Sequence, residues 1–123
     1  MRTTHIRYGD HPSQWIDLGL PDSPDDRLPV VIFIHGGYWR AGHGADQGKP
    51  LIMDLVSQDV AAVNVEYRRV GKDPVNGGGG WPATFLDIAA AVDCLADRDD
   101  LDLGRVVAVG HSAGGQLAVW AAA

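Results

Sequence analysis

A serine between glycines has the clearest chemical meaning in this chain of 123 residues. Residues 110–114 read Gly-His-Ser-Ala-Gly, after the apolar run 106–109 and before an alanine-rich stretch. On a tight turn from strand to helix, a serine with glycine two positions before and after it presents its hydroxyl for nucleophilic attack. The pattern also occurs in ordinary glycine-rich turns, but the strand before it and the helix after it favour the nucleophile. We therefore predict that Ser112 is a catalytic nucleophile.

Attack on a carbonyl also requires N–H donors for the oxyanion that develops. Ala113 opens the predicted helix, so its N–H can face the oxyanion with the support of the helix dipole. Residues 35–39 read His-Gly-Gly-Tyr-Trp directly after another apolar run. A Gly-Gly backbone at a strand end can supply the second donor. The predicted oxyanion hole therefore comprises Gly37, Tyr38 and Ala113.

Other side chains near these segments have less specific roles. Tyr38 and Trp39 could line an acyl or aryl pocket, or they could belong to the core, and the sequence does not separate the two. The ring of His35 is predicted to pin the glycine loop by hydrogen bonding. Glu66 stands at the end of its strand, and we predict a structural hydrogen-bonding role for it.

The elements that must position these residues follow from hydrophobic patterning. Continuous β-branched runs are typical of parallel strands buried on both faces, and they occur at residues 30–34, 60–65 and 106–109. Helices are predicted over 49–57 and 81–98. The alternation of polar and apolar residues over 14–18 predicts a strand near a sheet edge. Strands that alternate with helices indicate an α/β fold with a mostly parallel sheet flanked by helices.

Composition excludes several classes of function. Ten Lys and Arg against 16 Asp and Glu give a net charge of −6, which disfavours nucleic-acid binding. One cysteine and unpatterned histidines predict no metal site and no disulfide. The N-terminus lacks the apolar core of a signal peptide, and no run approaches the ~20 residues of a membrane span. We expect a cytoplasmic protein without cofactor, with the oligomeric state open.

The two glycine motifs together resemble the α/β-hydrolase superfamily, and the His-Gly-Gly-Tyr-Trp form is similar to the kynurenine formamidase (arylformamidase) and bacterial esterase branch. The resemblance implies a serine hydrolase that forms an acyl-enzyme on Ser112. Its substrates would be small carboxylic esters or aryl formamides. The substrate-binding residues would be Tyr38 and Trp39.

In that superfamily the acid and then the histidine of the triad follow the serine along the chain. Residues 113–123 contain neither, and none of the earlier histidines has the position of a general base. We therefore expect a single partial domain over 1–123, truncated after the nucleophile and inactive by itself. The alternative is a non-catalytic truncated product or a binding module that retains the first half of the fold.

Overall fold

A five-stranded mixed sheet forms the centre of a computed structural model, which describes residues 1–22, 24, 26–36 and 44–122. The order across the sheet is β1-β2-β4-β3-β5. Strand β3 is parallel to β4 and β5, whereas β2 is antiparallel to β1 and β4. The bounds are β1 (Arg2–Arg7), β2 (Trp15–Leu20), β3 (Leu28–Ile34), β4 (Ala61–Val65) and β5 (Leu101–Gly110). The predicted α/β class is confirmed, with a sheet that is mixed rather than mostly parallel.

Helices cover both faces of this sheet. Helix α1 (Lys49–Ser57) packs Ile52 and Val56 on one face, against Phe33 and Ala62. Helices α2 (Ala83–Asp93) and α3 (Ala113–Ala122) pack on the other face, where the larger core lies. The bounds of α1 agree with the prediction. Helix α2 begins at Ala83 rather than at residue 81 and ends at Asp93 rather than at residue 98, although Leu95 beyond it stays buried in the core.

The strand that the sequence predicts near a sheet edge over 14–18 is confirmed as β2, which lies next to the edge strand β1. Strand β2 is paired on both sides, and its Ile16 and Leu18 are fully buried. The edge is β1, whose residues are mostly exposed. An exposed edge strand has no apolar face to bury, so β1 lacks the alternation that reveals a strand in a sequence.

Strand β5 forms the opposite edge of the sheet. Only β3 pairs with it within the described residues. Three of its valines are exposed by 39–57%, namely Val106, Val107 and Val109. Buried strands are rich in such residues. Strand β5 therefore has the composition of an interior strand, although its valines are exposed.

No helix in the described part of the chain is both long and apolar enough to span a membrane.

Candidate active site

Ser112 lies in the shortest connection between a strand and a helix in this structure. Strand β5 ends at Gly110 and α3 begins at Ala113, so His111 and Ser112 alone make the turn. Ser112 has φ 55°, in the left-handed region that residues with a side chain adopt rarely. The residue is exposed. Such a backbone holds the serine outside both elements, with its hydroxyl accessible to a ligand.

Glycines allow this turn because there is no space for a side chain around it. A Cβ on Gly110 would lie 2.1 Å from the Gly114 carbonyl oxygen. A Cβ on Gly114 would lie 2.0 Å from the carbonyl oxygen of Ile34, at the end of β3. Both distances are far shorter than van der Waals contact, so glycine is required at both positions for this backbone.

The first segment of the His-Gly-Gly motif lies against the serine turn. A Cβ on Gly36 would lie 2.4 Å from the His111 carbonyl oxygen and 3.0 Å from the Ser112 Cβ. The His111 amide donates to the Ile34 carbonyl at 3.1 Å. The parallel pairing of β3 and β5 brings these two strand ends together. The two motifs that the sequence analysis identified therefore meet at the carboxyl ends of the parallel strands β3 and β5.

One predicted oxyanion donor is described by the structure. The amides of Gly114 and Gly115 donate to the carbonyls of His111 and Ser112, each at 2.9 Å. Ala113 precedes them as the first residue of α3, and the first amides of a helix have no partner within the helix. The predicted residues Gly37, Tyr38 and Trp39 lie outside the described residues.

His35 is fully buried and fixed from three directions. Its Nε2 lies 2.7 Å from the Glu66 Oε1, and its Nδ1 lies 2.9 Å from the Gly36 carbonyl oxygen. The ring of Tyr67 stacks on it with centroids 4.3 Å apart, and the Tyr67 hydroxyl donates to the His35 carbonyl at 2.8 Å. Both ring nitrogens are engaged, so the structure agrees with a pinning role rather than with proton transfer at Ser112.

Glu66 directly follows the end of β4. It is 7% exposed, and its Oε2 accepts the Ala45 N–H at 3.0 Å. The Arg69 guanidinium lies 3.6 Å from Oε1. Burial acts to raise the pKa of Glu66, but the hydrogen bond and charge of His35, the Ala45 N–H and Arg69 lower that pKa below its ordinary value. The residue is therefore an ionised anchor.

The sequence did not reveal how many groups this anchor connects. Tyr67 contacts His35 and Arg69 contacts Glu66. Neither contact was predicted, although both residues lie within four positions of the end of β4. The available signal was topological, because β3 and β4 are parallel and their carboxyl ends lie at one edge of the sheet. Gln47 was also missed, and its Nε2 donates to the Gly36 carbonyl at 3.3 Å.

The earlier histidines have local partners. His5 Nδ1 lies 2.6 Å from Asp17 Oδ1 across β1 and β2, and the His11 Nδ1 accepts the Ser13 N–H at 3.0 Å. His43 lies outside the described residues. Among residues 1–22, 24, 26–36 and 44–122, no three His, Cys, Asp or Glu side chains group as metal ligands do.

The sequence of this chain is similar to a protein family and to several known proteins. Residues 16–123 match the family model BD-FAE. Esterase LipC of Mycobacterium tuberculosis is 32% identical over 120 residues, which are 94% of this chain and 28% of that protein. Kynurenine formamidase of Danio rerio is 27% identical over 113 residues, which are 92% of this chain and 36% of that protein.

A solved structure shares the fold closely. Esterase B from Lactobacillus rhamnosis, inhibited with a C4-C4 SN3 tributyrin phosphonate, superposes with a TM-score of 0.82 at 29% identity. The match covers 98% of this chain and 38% of that one. The chain thus spans between 28% and 38% of the length of these three proteins. From the match over residues 16–123 and the shared architecture, the chain belongs to the BD-FAE family and has the α/β-hydrolase-like fold of these esterases.

Proposed function

We propose that the protein containing this chain is a serine hydrolase of carboxylic esters, with Ser112 as its nucleophile. The observation that carries the proposal is the exposed Ser112 at φ 55° between β5 and α3. Glycines without space for a Cβ surround it, and Gly36 lies against it. The esterases among the similar proteins favour an ester substrate, and the Danio rerio formamidase keeps aryl formamides as the second substrate class.

The proposed reaction proceeds in two halves. The Ser112 Oγ attacks the substrate carbonyl carbon while a histidine takes the hydroxyl proton, and the carbonyl oxygen becomes an oxyanion. The N–H of Ala113 and an N–H of Gly37 or Tyr38 stabilise that oxyanion. The leaving group departs with the proton from the histidine, and an acyl-enzyme remains on Ser112. Water then attacks the acyl group by the same path and releases the acid.

The histidine and its orienting acid would come from outside these 123 residues. Residues 113–123 contain no Asp, Glu or His, and both ring nitrogens of His35 are engaged elsewhere. By this proposal residues 1–123 supply the nucleophile and the oxyanion donors, and turn over no substrate by themselves. Tyr38 and Trp39 would contact the acyl or aryl group of the substrate.

The test is the rate of 4-nitrophenyl acetate and butyrate hydrolysis by the complete protein and two serine variants. Ser112→Ala should lower kcat by on the order of 10⁶, to near background, as for loss of a triad serine. Ser57→Ala is the matched control, because Ser57 is also exposed and its hydroxyl serves only the Asp54 carbonyl among the described contacts. Equal rates for the two variants would overturn the proposal. The ratio of kcat/KM for butyrate ester and N-formylkynurenine assigns the substrate class.

A further inference from the structure

The segment 37–43 carries a proposed oxyanion donor, and one carboxylate contacts both of its flanks. On the near side, Glu66 Oε1 lies 2.7 Å from His35 Nε2, and the same ring reaches the Gly36 carbonyl through Nδ1. On the far side, Glu66 Oε2 accepts the Ala45 N–H at 3.0 Å. We propose that Glu66 is a positioning residue that holds together the two flanks of this segment, residues 35–36 and 44–45. The inference rests on the proposed function.

Glu66 is itself held rigidly. Its amide donates to the Trp15 carbonyl at 3.0 Å, and its carbonyl accepts the Tyr8 hydroxyl at 2.6 Å. The Tyr67 amide donates to Oε1 at 3.2 Å. The main chain of Glu66 is thus tied to the strand β2 side of the sheet, and its side chain spans the gap to the loop. A side chain fixed in this way transmits the position of the sheet to both flanks.

The space around the carboxylate is filled, so neither flank can shift freely. A Cβ on Gly44 would lie 2.8 Å from Glu66 Oε2 and 3.0 Å from an Arg69 guanidinium nitrogen. Arg69 is 2% exposed, and its guanidinium also donates to the Asn76 Oδ1 at 2.8 Å. The Arg69 guanidinium therefore lies beside the carboxylate and balances its charge.

Substitution of Glu66 by glutamine or aspartate separates the length of its side chain from its charge. Both His35 ring nitrogens lie against oxygen atoms, Nε2 against Glu66 Oε1 and Nδ1 against the Gly36 carbonyl oxygen. Glutamine can keep both connections, because its amide can donate to a neutral Nε2 while its oxygen accepts the Ala45 N–H. Aspartate keeps the charge, but it is shorter by one C–C bond of about 1.5 Å and cannot reach both partners.

The experiment compares Glu66→Gln, Glu66→Asp and Glu66→Ala in the complete protein, with kcat and KM measured per folded protein on 4-nitrophenyl butyrate. A misplaced oxyanion donor costs up to about 10²-fold in rate. We expect kcat to fall about 10²-fold in Glu66→Asp and Glu66→Ala with KM little changed, and less than about 10-fold in Glu66→Gln. Asp87→Asn is the matched control, since Asp87 is also a buried carboxylate bound to an arginine but contacts neither flank. Its kcat should stay at the wild-type value.

A second measurement does not depend on catalysis. Hydrogen exchange of the Ala45 amide should be slow in the wild type, in Glu66→Gln and in Asp87→Asn, and fast in Glu66→Asp and Glu66→Ala. Retained kcat in folded Glu66→Asp with a loss in Glu66→Gln would show that charge matters and span does not, and would overturn the proposal. Unchanged Ala45 exchange in all Glu66 variants would overturn it as well, whatever the fate of the Ser112 test.

Discussion

At the scale of single residues, Gly114 is where the serine turn tolerates least change. A Cβ there would lie 2.0 Å from a β3 carbonyl oxygen, whereas a Cβ on the neighbouring Gly115 would find its nearest atom at 3.6 Å. We expect Gly114→Ala to lower the free energy of unfolding by about 3 kcal/mol or more, because backbone must move. Gly115→Ala lies in α3 and should raise it by about 0.5–1 kcal/mol.

Urea denaturation of the two glycine variants measures this difference. A Gly114→Ala protein as stable as Gly115→Ala would mean that the turn between β5 and α3 is more open than the structure shows.

We expect the stability of the protein to depend on pH through the Glu66 carboxylate. Its pKa in the folded protein is lowered from an ordinary value of 4.5, by the net effect of His35, Ala45 and Arg69 against burial. A lowered folded pKa contributes stability above the unfolded value, and that stability is lost as pH falls through the folded value. The Tm advantage of the wild type over Glu66→Gln should therefore be full above pH 4.5 and shrink below it.

Thermal melts between neutral and acidic pH test this sign. Other acids contribute equally to both proteins, so the difference in Tm isolates Glu66. An advantage that grows on acidification would contradict an ionised Glu66.

At the scale of elements, Asp87 ties α2 to the chain after β4 and to the N-terminal part. Its carboxylate accepts from the Arg68 amide at 2.9 Å, from the Arg68 guanidinium at 2.8 and 2.9 Å, and from the Gln14 side chain at 2.8 Å. Asp87 is 1% exposed. Breaking a buried charge pair costs about 3–5 kcal/mol. The Arg68 side chain is 26% exposed, so we expect Asp87→Ala to cost about 3 kcal/mol.

Asp93 on the same helix is the control for Asp87. It is exposed at the end of α2, so Asp93→Ala should change the free energy of unfolding by less than about 0.5 kcal/mol. Similar denaturation midpoints for the two variants would show that the Asp87 contacts do not join these elements.

Patterning predicted the strands that carry apolar runs or alternation and missed the exposed edge strand β1. Residues 30–34 and 60–65 are continuous apolar runs, and they lie in β3 and β4, with buried side chains at nearly every position. Strand β5 begins at Leu101, earlier than the run 106–109, because Asp102 and Gly104 interrupt the pattern. The edge strand β1 has no such pattern at all.

The part of the candidate site that was predicted consists of residues close together in the sequence. The turn at residues 110–114 could be predicted because its local geometry requires a fixed spacing of glycine and serine. Glu66 and His35 are 31 residues apart in the sequence, and only the parallel pairing of β3 and β4 brings them into contact. Long-range contacts of this kind leave no spacing in the sequence.

At the scale of the whole molecule, the exposed edge β5 governs how residues 1–123 behave alone. An exposed apolar strand edge pairs readily with other chains, and Val107 on it is 57% exposed. We expect residues 1–123 to self-associate, and Val107→Lys to shift them toward monomer. Val75→Lys is the control, since Val75 is 52% exposed but lies outside the strands.

Sedimentation velocity measures this association across a range of concentrations. A wild-type chain that stays monomeric at all of them, or equal suppression by both lysine variants, would contradict a role for the β5 edge.

The proposed activity depends on one atom of the complete protein, the Oγ of Ser112. The most direct measurement is reaction with a fluorophosphonate, followed by mass spectrometry of the peptides. Attack by the serine displaces fluoride and leaves a phosphonyl group on the oxygen. We expect one adduct, on the peptide that contains Ser112, and no adduct in Ser112→Ala. An adduct on another serine, or a complete protein that hydrolyses esters while Ser112 stays unmodified, would contradict this expectation.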